Sequence, residues 1–336
     1  MSNLNVNEKL IVTESPHVRG RSTTSSVMFD VVVALIPALL AGTVFFGYRA
    51  IVVTAVCVLF AVLAEWGWCR ILKKPSTIGD FSAVVTGLLL AMNLPVTMPL
   101  WMAAIGSVFA IIIVKQFFGG IGHNFMNPAL AARAFLLTSW AAAMTNWTEP
   151  FTKLGFWSNV DAVTTATPLS LVKEGATANL PSYLNMFVGN TAGCIGEVSA
   201  LAILIGAAYL LYRHIISLRI PLTYIITVAV FTFIFGGKNG FFTGDPLLHI
   251  LSGGLMLGAF FMATDYVTTP YTKKGQIIFG FGCGLITSVI RLYGGYPEGV
   301  SYSILLMNVA TPLIDRFTAP KRFGAVKEKK VKEGDC

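Results

Sequence analysis

The sequence predicts an all-α polytopic membrane protein of about ten transmembrane helices, arranged as two inverted five-helix repeats. Three observations lead to this fold class: an apolar composition, a succession of apolar runs, and short motifs that occur once in each half. Of the 336 residues, 55% are hydrophobic and 12% are charged, and the mean hydropathy is +0.71. Soluble domains carry roughly 25% charged residues, so this composition is typical of a chain embedded in a bilayer.

Ten apolar runs predict the helices in order. Most of them approach the roughly 17–25 residues that a helix needs to cross the hydrocarbon core, and the third is the shortest. The runs are residues 27–47, 51–69, 81–94, 100–118, 126–144, 198–216, 221–236, 247–264, 276–290 and 300–314. Between the fifth and sixth runs lies a polar interval, residues 145–197, which is too polar to lie in lipid, where every backbone group needs an internal partner.

The positions of Lys and Arg predict the orientation, because cytoplasmic loops carry an excess of both. With the N-terminus inside, 19 of the 24 basic residues fall on the cytoplasmic side and five on the outer side. We therefore expect a multi-pass protein of the bacterial cytoplasmic (inner) membrane with both termini in the cytoplasm. Its parts are a tail (1–26), a membrane repeat (27–144), an extracytoplasmic loop (145–197), a second membrane repeat (198–317) and a basic tail (318–336).

Charge and cysteine patterns exclude two kinds of partner. The net charge of +8 is spread over several predicted cytoplasmic loops, which favours contact with anionic membrane lipid and not nucleic-acid binding. The five cysteines are scattered without a CxxC spacing, which argues against a local iron–sulfur or zinc site.

Short motifs pair the two halves of the chain. VTMP at 96–99 matches VTTP at 267–270, and a Gly-Gly pair at 119–120 matches one at 294–295. Because each half has an odd number of predicted helices, the second half enters the membrane from the opposite side. Inverted repeats place functional sites at their interface, marked by short or Gly-interrupted segments in matching positions, here 81–94 and 247–264. Ordinary packing of helices through small residues explains the same glycines equally well.

The outer interval contains the stretch DAVTTATPL at residues 161–169. Taken alone, a Thr-rich turn before a proline predicts only a turn that caps the next helix. Together with GHNFMNPALAARAF at 122–135 and several motifs within 253–317, however, it resembles the RnfD/NqrB family of ion-translocating electron transport complexes. That resemblance covers nearly the whole chain, and the short leader favours the Rnf type.

The resemblance implies a covalent flavin. In that family the last Thr of Asp-x-x-Ser/Thr-x-Ala-Thr-Pro-Leu carries FMN through a phosphoester, which a separate flavin transferase installs. The matching residue here is Thr167, and Asp161, Thr164 and Ala166 complete the motif. Many members have Gly where this chain has Thr165, so the hydroxyls of Thr164 and Thr165 compete with Thr167 for the assignment.

The resemblance also implies a fold similar to ammonium and urea transporters and a role in a multi-subunit complex. With Rnf subunits A, B, C, E and G, the chain would carry electrons between ferredoxin and NAD⁺ and contribute to Na⁺ or H⁺ export, without catalytic residues of its own. Whether a non-covalent riboflavin also binds stays open. The alternatives are an Nqr-type protein that feeds quinone, and a transporter or channel with no redox role.

Three ionisable residues within the apolar runs are candidates for an ion pathway. Asp30, Glu65 and Arg133 lie in the first, second and fifth runs. A charge buried in lipid costs several kcal/mol unless it is paired, so each predicts a functional role, in ion passage or flavin binding. A structural ion pair is the alternative for all three.

Overall fold

A computed structural model of the protein describes residues 23–151, 165–174, 180–237 and 240–320. Within these ranges the regular elements are helices, and no β-strand occurs. The all-α part of the predicted fold class is therefore confirmed.

The first half contains helices α1 to α6. They are α1 Thr24–Phe46, α2 Tyr48–Ile71, α3 Ser82–Met92, α4 Leu100–Gln116, α5 Pro128–Ser139 and α6 Ala141–Met144. The last two turns of α4, Ala110–Gln116, are wound as a π-helix. π-Helical turns are rare and occur often at functional sites.

The second half contains helices α7 to α14. They are α7 Pro168–Glu174, α8 Tyr183–Val188, α9 Ala200–Tyr212, α10 Arg219–Phe235, α11 Pro246–Leu251, α12 Leu255–Leu257, α13 Lys273–Tyr293 and α14 Val300–Thr318. A second π-helical segment, Gly258–Met262, continues α12.

Every predicted apolar run contains helix, but the helices differ in length. Among the described residues, α1, α2 and α13 are long and apolar enough to cross a membrane, whereas α3, α4, α9 and α10 are apolar but shorter. The chain is thus a membrane protein with several apolar helices. The number of crossings stays a prediction.

Polar side chains fix where several helices begin. The Oδ1 of Asn127 accepts hydrogen bonds from the backbone N–H groups of Ala129 (3.0 Å) and Leu130 (3.4 Å), and Pro128 occupies the first helical position of α5. Asp245 caps α11 in the same way before a second proline. Capping satisfies N–H groups that have no partner inside a helix.

The matching segments that the sequence analysis singled out are both discontinuous helices. After α3 the chain leaves helical geometry over residues 93–99, where the Nε of buried Arg49 donates to the carbonyl of Val96 at 2.9 Å. After α11 the chain breaks at residues 252–254, where Gly253 has φ +69°. These breaks shorten the helices, because unwound backbone replaces helix within the apolar run.

Small residues let the helices approach closely. A Cβ atom added at Gly206 of α9 would overlap the carbonyl of Ala34 in α1, and one at Gly87 of α3 would lie 2.8 Å from the Cα of Val58 in α2. Helix association in membranes relies on such contacts, since lipid tails are as apolar as the side chains they replace.

Candidate functional site

Thr167 is described, whereas Asp161 and Thr164 lie outside the described residues. Thr167 immediately precedes α7, and its side chain is 5% exposed. Its Oγ1 accepts a hydrogen bond from the backbone N–H of Ser170 (3.3 Å) and donates to the Ser170 hydroxyl (3.2 Å). This is helix-capping geometry, so the turn that the sequence predicts is present, and it holds the Thr167 hydroxyl in one place.

Thr167 forms part of the wall of a cleft, which we call the Thr167 cleft. The cleft lies between α7 and the chain segments that precede α9, α12 and α14. Its lining is residues 167–169, Met186 of α8, residues 191–193 and 197–198, residues 251–253, and Glu298.

Two contacts hold α7 against the second half. The ammonium of Lys173 donates to the carbonyl of Tyr296 at 3.0 Å and also to that of Gly294. Leu169 packs on Gly253, where an added Cβ would lie 2.8 Å from the Leu169 Cδ1. Gly253 is therefore required both by its positive φ and by the close approach of Leu169.

Arg133 extends from α5 to the same cleft wall, where four side chains surround its guanidinium. Nη1 donates to Asn93 Oδ1 (2.9 Å) and to Glu197 Oε1 (3.2 Å), while Nη2 contacts the Glu298 carboxylate and, at 3.7 Å, the sulfur of Cys194. The side chains of Arg133 and Glu197 are 7% and 3% exposed. The cluster joins the end of α3, α5 and the loops before α9 and α14.

The charge of this cluster shifts the titration of its loop residues. Burial and the neighbouring carboxylate of Glu298 raise the pKa of Glu197 to about 7, while the positive charge of Arg133 opposes the rise. Burial likewise raises the pKa of the Cys194 thiol. Glu197 therefore gains a proton near neutral pH, and Cys194 stays a thiol, which is a poor nucleophile and metal ligand.

A second buried arginine, Arg291 of α13, lies against the break after α11. It donates to the carbonyls of His249 and, at 3.2 Å, Ser252, and the site of a Cβ at Gly253 would be 3.2 Å from its Nη2. Its Nε has no hydrogen-bond partner. A buried N–H without a partner is uncommon and points to a group that the site can still accept.

Glu65 of α2 lies at a different place in the fold and is 0% exposed. Its carboxylate accepts hydrogen bonds from Lys115 (2.9 and 3.0 Å), Gln116 (2.9 Å) and Thr77 (2.7 Å). Lys115 also donates to the Ser82 hydroxyl at 2.6 Å. The ion pair is therefore saturated by partners within the chain, as a buried pair must be to be tolerated.

Asp30 of α1 forms a third polar group. It accepts hydrogen bonds from the Tyr209 hydroxyl (2.8 Å) and from Arg213 Nη2 (3.0 Å). Among the described residues, no hydrogen bond or ion pair joins Asp30, Glu65 and Arg133 to one another. The three ion-pathway candidates thus belong to three separate clusters.

A cavity of about 100 Å³ lies beside the Glu65 cluster, between α1, α3 and residues 264–267. Its lining is mostly apolar but includes Ser82, Lys115, Asn124, Asn127 and Asp265. In the ranges that the structure covers, no group of three or more His, Cys, Asp or Glu side chains could hold a metal ion.

An apolar, all-helical chain with discontinuous helices and buried ion pairs defines a polytopic membrane protein. Residues 11–324 match the NQR2, RnfD, RnfE family, and the chain belongs to it. The family resemblance seen in the sequence is confirmed.

Three relatives, each the D subunit of its complex, resemble the chain over nearly its full length. It is 55% identical to that of the Na(+)-translocating ferredoxin:NAD(+) oxidoreductase complex of Acetobacterium woodii, covering 96% of this chain and 97% of the relative. It is 50% identical to that of the proton-translocating ferredoxin:NAD(+) oxidoreductase complex of Clostridium ljungdahlii, with 93% and 96% covered. It is 35% identical to that of the ion-translocating oxidoreductase complex of Yersinia enterocolitica, with 93% and 98% covered.

The sequence analysis missed three charged residues at the Thr167 cleft. Glu197 marks the edge of the outer interval, Glu298 lies in the motif GGYPEG within 253–317, and Arg291 follows the ninth predicted helix. The available signal was weak but real: each is a charge at the end of an apolar run or close to one, and charges in or beside such runs are the kind that selected Arg133.

We predict that Arg133→Met destabilises the protein far more than Arg213→Met. The first change strands two buried carboxylates and costs roughly 3–5 kcal/mol. The second removes a cation whose side chain is 51% exposed, and costs about 0–1 kcal/mol. Thermal denaturation of both variants in detergent measures the difference, and equal losses of stability would contradict the role given to Arg133.

Proposed function

We propose that this chain is the membrane-embedded D subunit of an Rnf-type ferredoxin:NAD oxidoreductase complex and carries electrons through FMN bound covalently to Thr167. The observation that carries this proposal is 55% identity over 96% of the chain to a relative named for that activity. The partners would be Rnf subunits A, B, C, E and G, with a flavin transferase acting during maturation. The chain would act as an oxidoreductase and translocase only within that complex.

The residues present are compatible with a phosphoester at Thr167. The hydroxyl lies at the wall of a cleft, and the adjacent Ser170 supplies a backbone N–H and a hydroxyl as donors. The partnerless Nε of Arg291 lies on the cleft's second-half side. When bound, FMN supplies one- and two-electron transfer, which links one-electron carriers to other flavins.

The chain's own residues would hold and orient the cofactor. Thr167 would tether it, and the cap on α7 would fix the tether. Asp161, Thr164 and Ala166 would form the part of the motif that the transferase reads. Tethering keeps a dissociable cofactor in place on a surface that faces away from the cytoplasm.

We predict that Thr167→Ala abolishes covalent flavin, whereas the chain still inserts into the membrane, because its helices satisfy their own backbone hydrogen bonds. Only a hydroxyl can form the ester, so Thr167→Ser retains some labelling. Flavin fluorescence of the denatured chain on a gel, followed by mass spectrometry of the peptide, measures attachment after co-expression with the transferase.

The matched controls are Thr164→Ala and Thr165→Ala, which remove the competing hydroxyls and should still be modified. An FMN mass that persists in Thr167→Ala, or that maps to Thr164 or Thr165, would show that the assignment is wrong. Complete absence of flavin from the parental chain would favour a transporter or channel without a redox role.

The proposed topology has ten crossings in two inverted five-helix repeats, as in ammonium and urea transporters. Both termini would be cytoplasmic, with repeats at 27–144 and 198–317 and tails at 1–26 and 318–336. The loop 145–197 would be extracytoplasmic. The 19-to-5 distribution of basic residues supports this orientation in a bacterial inner membrane.

We predict that a reporter fused after Cys336 is active only if it functions in the cytoplasm, because an even number of crossings returns the chain to its starting side. Paired fusions of a cytoplasmic and an exported reporter at this position measure the outcome. An exported reporter that is active there would overturn the topology.

We further propose that Asp30, Glu65 and Arg133 contribute to the ion pathway, as paired charges at membrane depth. We expect Asp30→Asn and Glu65→Gln to impair ion transport more than assembly. Ion uptake into vesicles, compared with complex yield, tests this. Normal transport by both variants would leave these residues with a structural role only. Whether the ion is Na⁺ or H⁺ stays open, since the two similar relatives are named for different ions.

A non-covalent riboflavin, if present, would be expected in the cavity beside α1 and α3, where apolar walls carry the carboxamides of Asn124 and Asn127. Such groups suit an aromatic ring with hydrogen-bonding edges. An Nqr-type role, with quinone as acceptor, is the second candidate function, because the family includes both types. The identity of the neighbouring subunits separates the two.

A further inference from the structure

Two carboxylates that are distant in sequence meet at a single guanidinium in the wall of the Thr167 cleft. Glu197 precedes α9 and Glu298 precedes α14, and both contact Arg133. Their side chains are 3% and 18% exposed, and both line the cleft. The fold therefore encloses two acidic groups around one basic group beside the Thr167 hydroxyl.

The charges around this pair do not supply a second ion-pair partner. One guanidinium compensates one carboxylate. Arg291 is the other buried cation nearby, but its terminal nitrogens donate to the carbonyls of His249 and Ser252 and form no ion pair with either glutamate in the described chain. The remaining titratable neighbour is the neutral thiol of Cys194, which contacts Arg133.

Like charges that share one buried site resist simultaneous ionisation. An uncompensated carboxylate in a low-dielectric wall costs several kcal/mol, and a proton removes that cost. The deeper carboxylate is Glu197, while Glu298 makes the closer contact with Arg133. The proton is therefore held on Glu197, and the charge on Glu298 is neutralised by Arg133.

We propose that Glu197 and Glu298 share one exchangeable proton over Arg133 and form a proton-exchange site in the wall of the Thr167 cleft. The step makes one O–H bond on a Glu197 carboxylate oxygen and breaks one in a hydronium ion of the cleft water. No electron moves in it. Glu298 is the more exposed of the two, so exchange with water proceeds along its side of the cleft.

This site would respond to a cofactor at Thr167, an extension that rests on the proposed function. A phosphoester on that hydroxyl places a further negative charge in the same cleft. Added negative charge favours the protonated form of a neighbouring acid. The cleft would then hold its proton to higher pH when the flavin is attached than when it is not.

Carbodiimide labelling of the intact complex tests the site, because carbodiimides react with protonated carboxyl groups in apolar surroundings. The complex is prepared from cells that lack the flavin transferase and is treated with dicyclohexylcarbodiimide over a range of pH. Mass spectrometry of the peptide that contains Glu197 reports the adduct. We expect labelling to fall about tenfold between about pH 6 and about pH 8, as for a single acid that titrates near neutrality. Labelling that is absent or independent of pH would overturn the proposal.

Two matched variants separate a shared proton from simple burial. Glu298→Gln removes the like charge, so the midpoint of Glu197 labelling should move to lower pH by roughly one unit. Glu174→Gln, at an exposed position of α7, makes the same chemical change outside the cluster and should leave the midpoint in place. Equal midpoints in Glu298→Gln and the parent would show that the carboxylates do not share a proton.

A complex prepared with the transferase tests the link to the cofactor. The midpoint should move to higher pH where Thr167 carries FMN, and an unchanged midpoint in the flavin-bearing protein would refute the link. Absence of covalent flavin, seen on the gel, would refute the proposed function instead. The titration in the unmodified complex does not depend on that result, so the two failures are distinguishable.

Discussion

The guanidinium of Arg133 holds together parts of the chain that no helix connects. Asn93 at the end of α3, Glu197 before α9 and Glu298 before α14 all converge on it. A buried cation cannot be left without partners, so these segments are constrained to meet where α5 presents the arginine. The Thr167 cleft is built on the same residues. Its shape and its charge therefore depend on this one side chain.

A similar arrangement occurs in both halves of the chain. Lys115 near the end of α4 reaches Ser82 at the start of α3, and Arg291 near the end of α13 reaches Ser252 at the break after α11. In each half a buried cation is thus placed against a discontinuous helix just before a Gly-Gly pair. The difference is that Lys115 has Glu65 as its counter-ion, whereas Arg291 has only backbone carbonyls. The second cation is therefore the one with capacity for a further anion.

Local features of the fold were predictable, and long-range pairings were not. Helix in each apolar run, the break at 93–99 and the turn at Thr167 all follow from hydrophobicity, proline and capping residues, which act over a few positions. The partners of Arg133 depend on how distant loops come together, and neither Glu197 nor Glu298 lies near it in the sequence. Helix lengths were overestimated for the third run, because a run of apolar residues does not show where backbone unwinds.

The burial of Thr167 has a consequence for the order in which the protein matures. An enzyme that attaches a group to a hydroxyl must reach it, and this side chain is 5% exposed, under α7 and its contacts with Gly253, Gly294 and Tyr296. A modifying enzyme would therefore have to act before α7 settles against the second half, or displace it. Docking of this short helix would then close the period during which the chain can be modified, and late-arriving transferase would find the acceptor hidden.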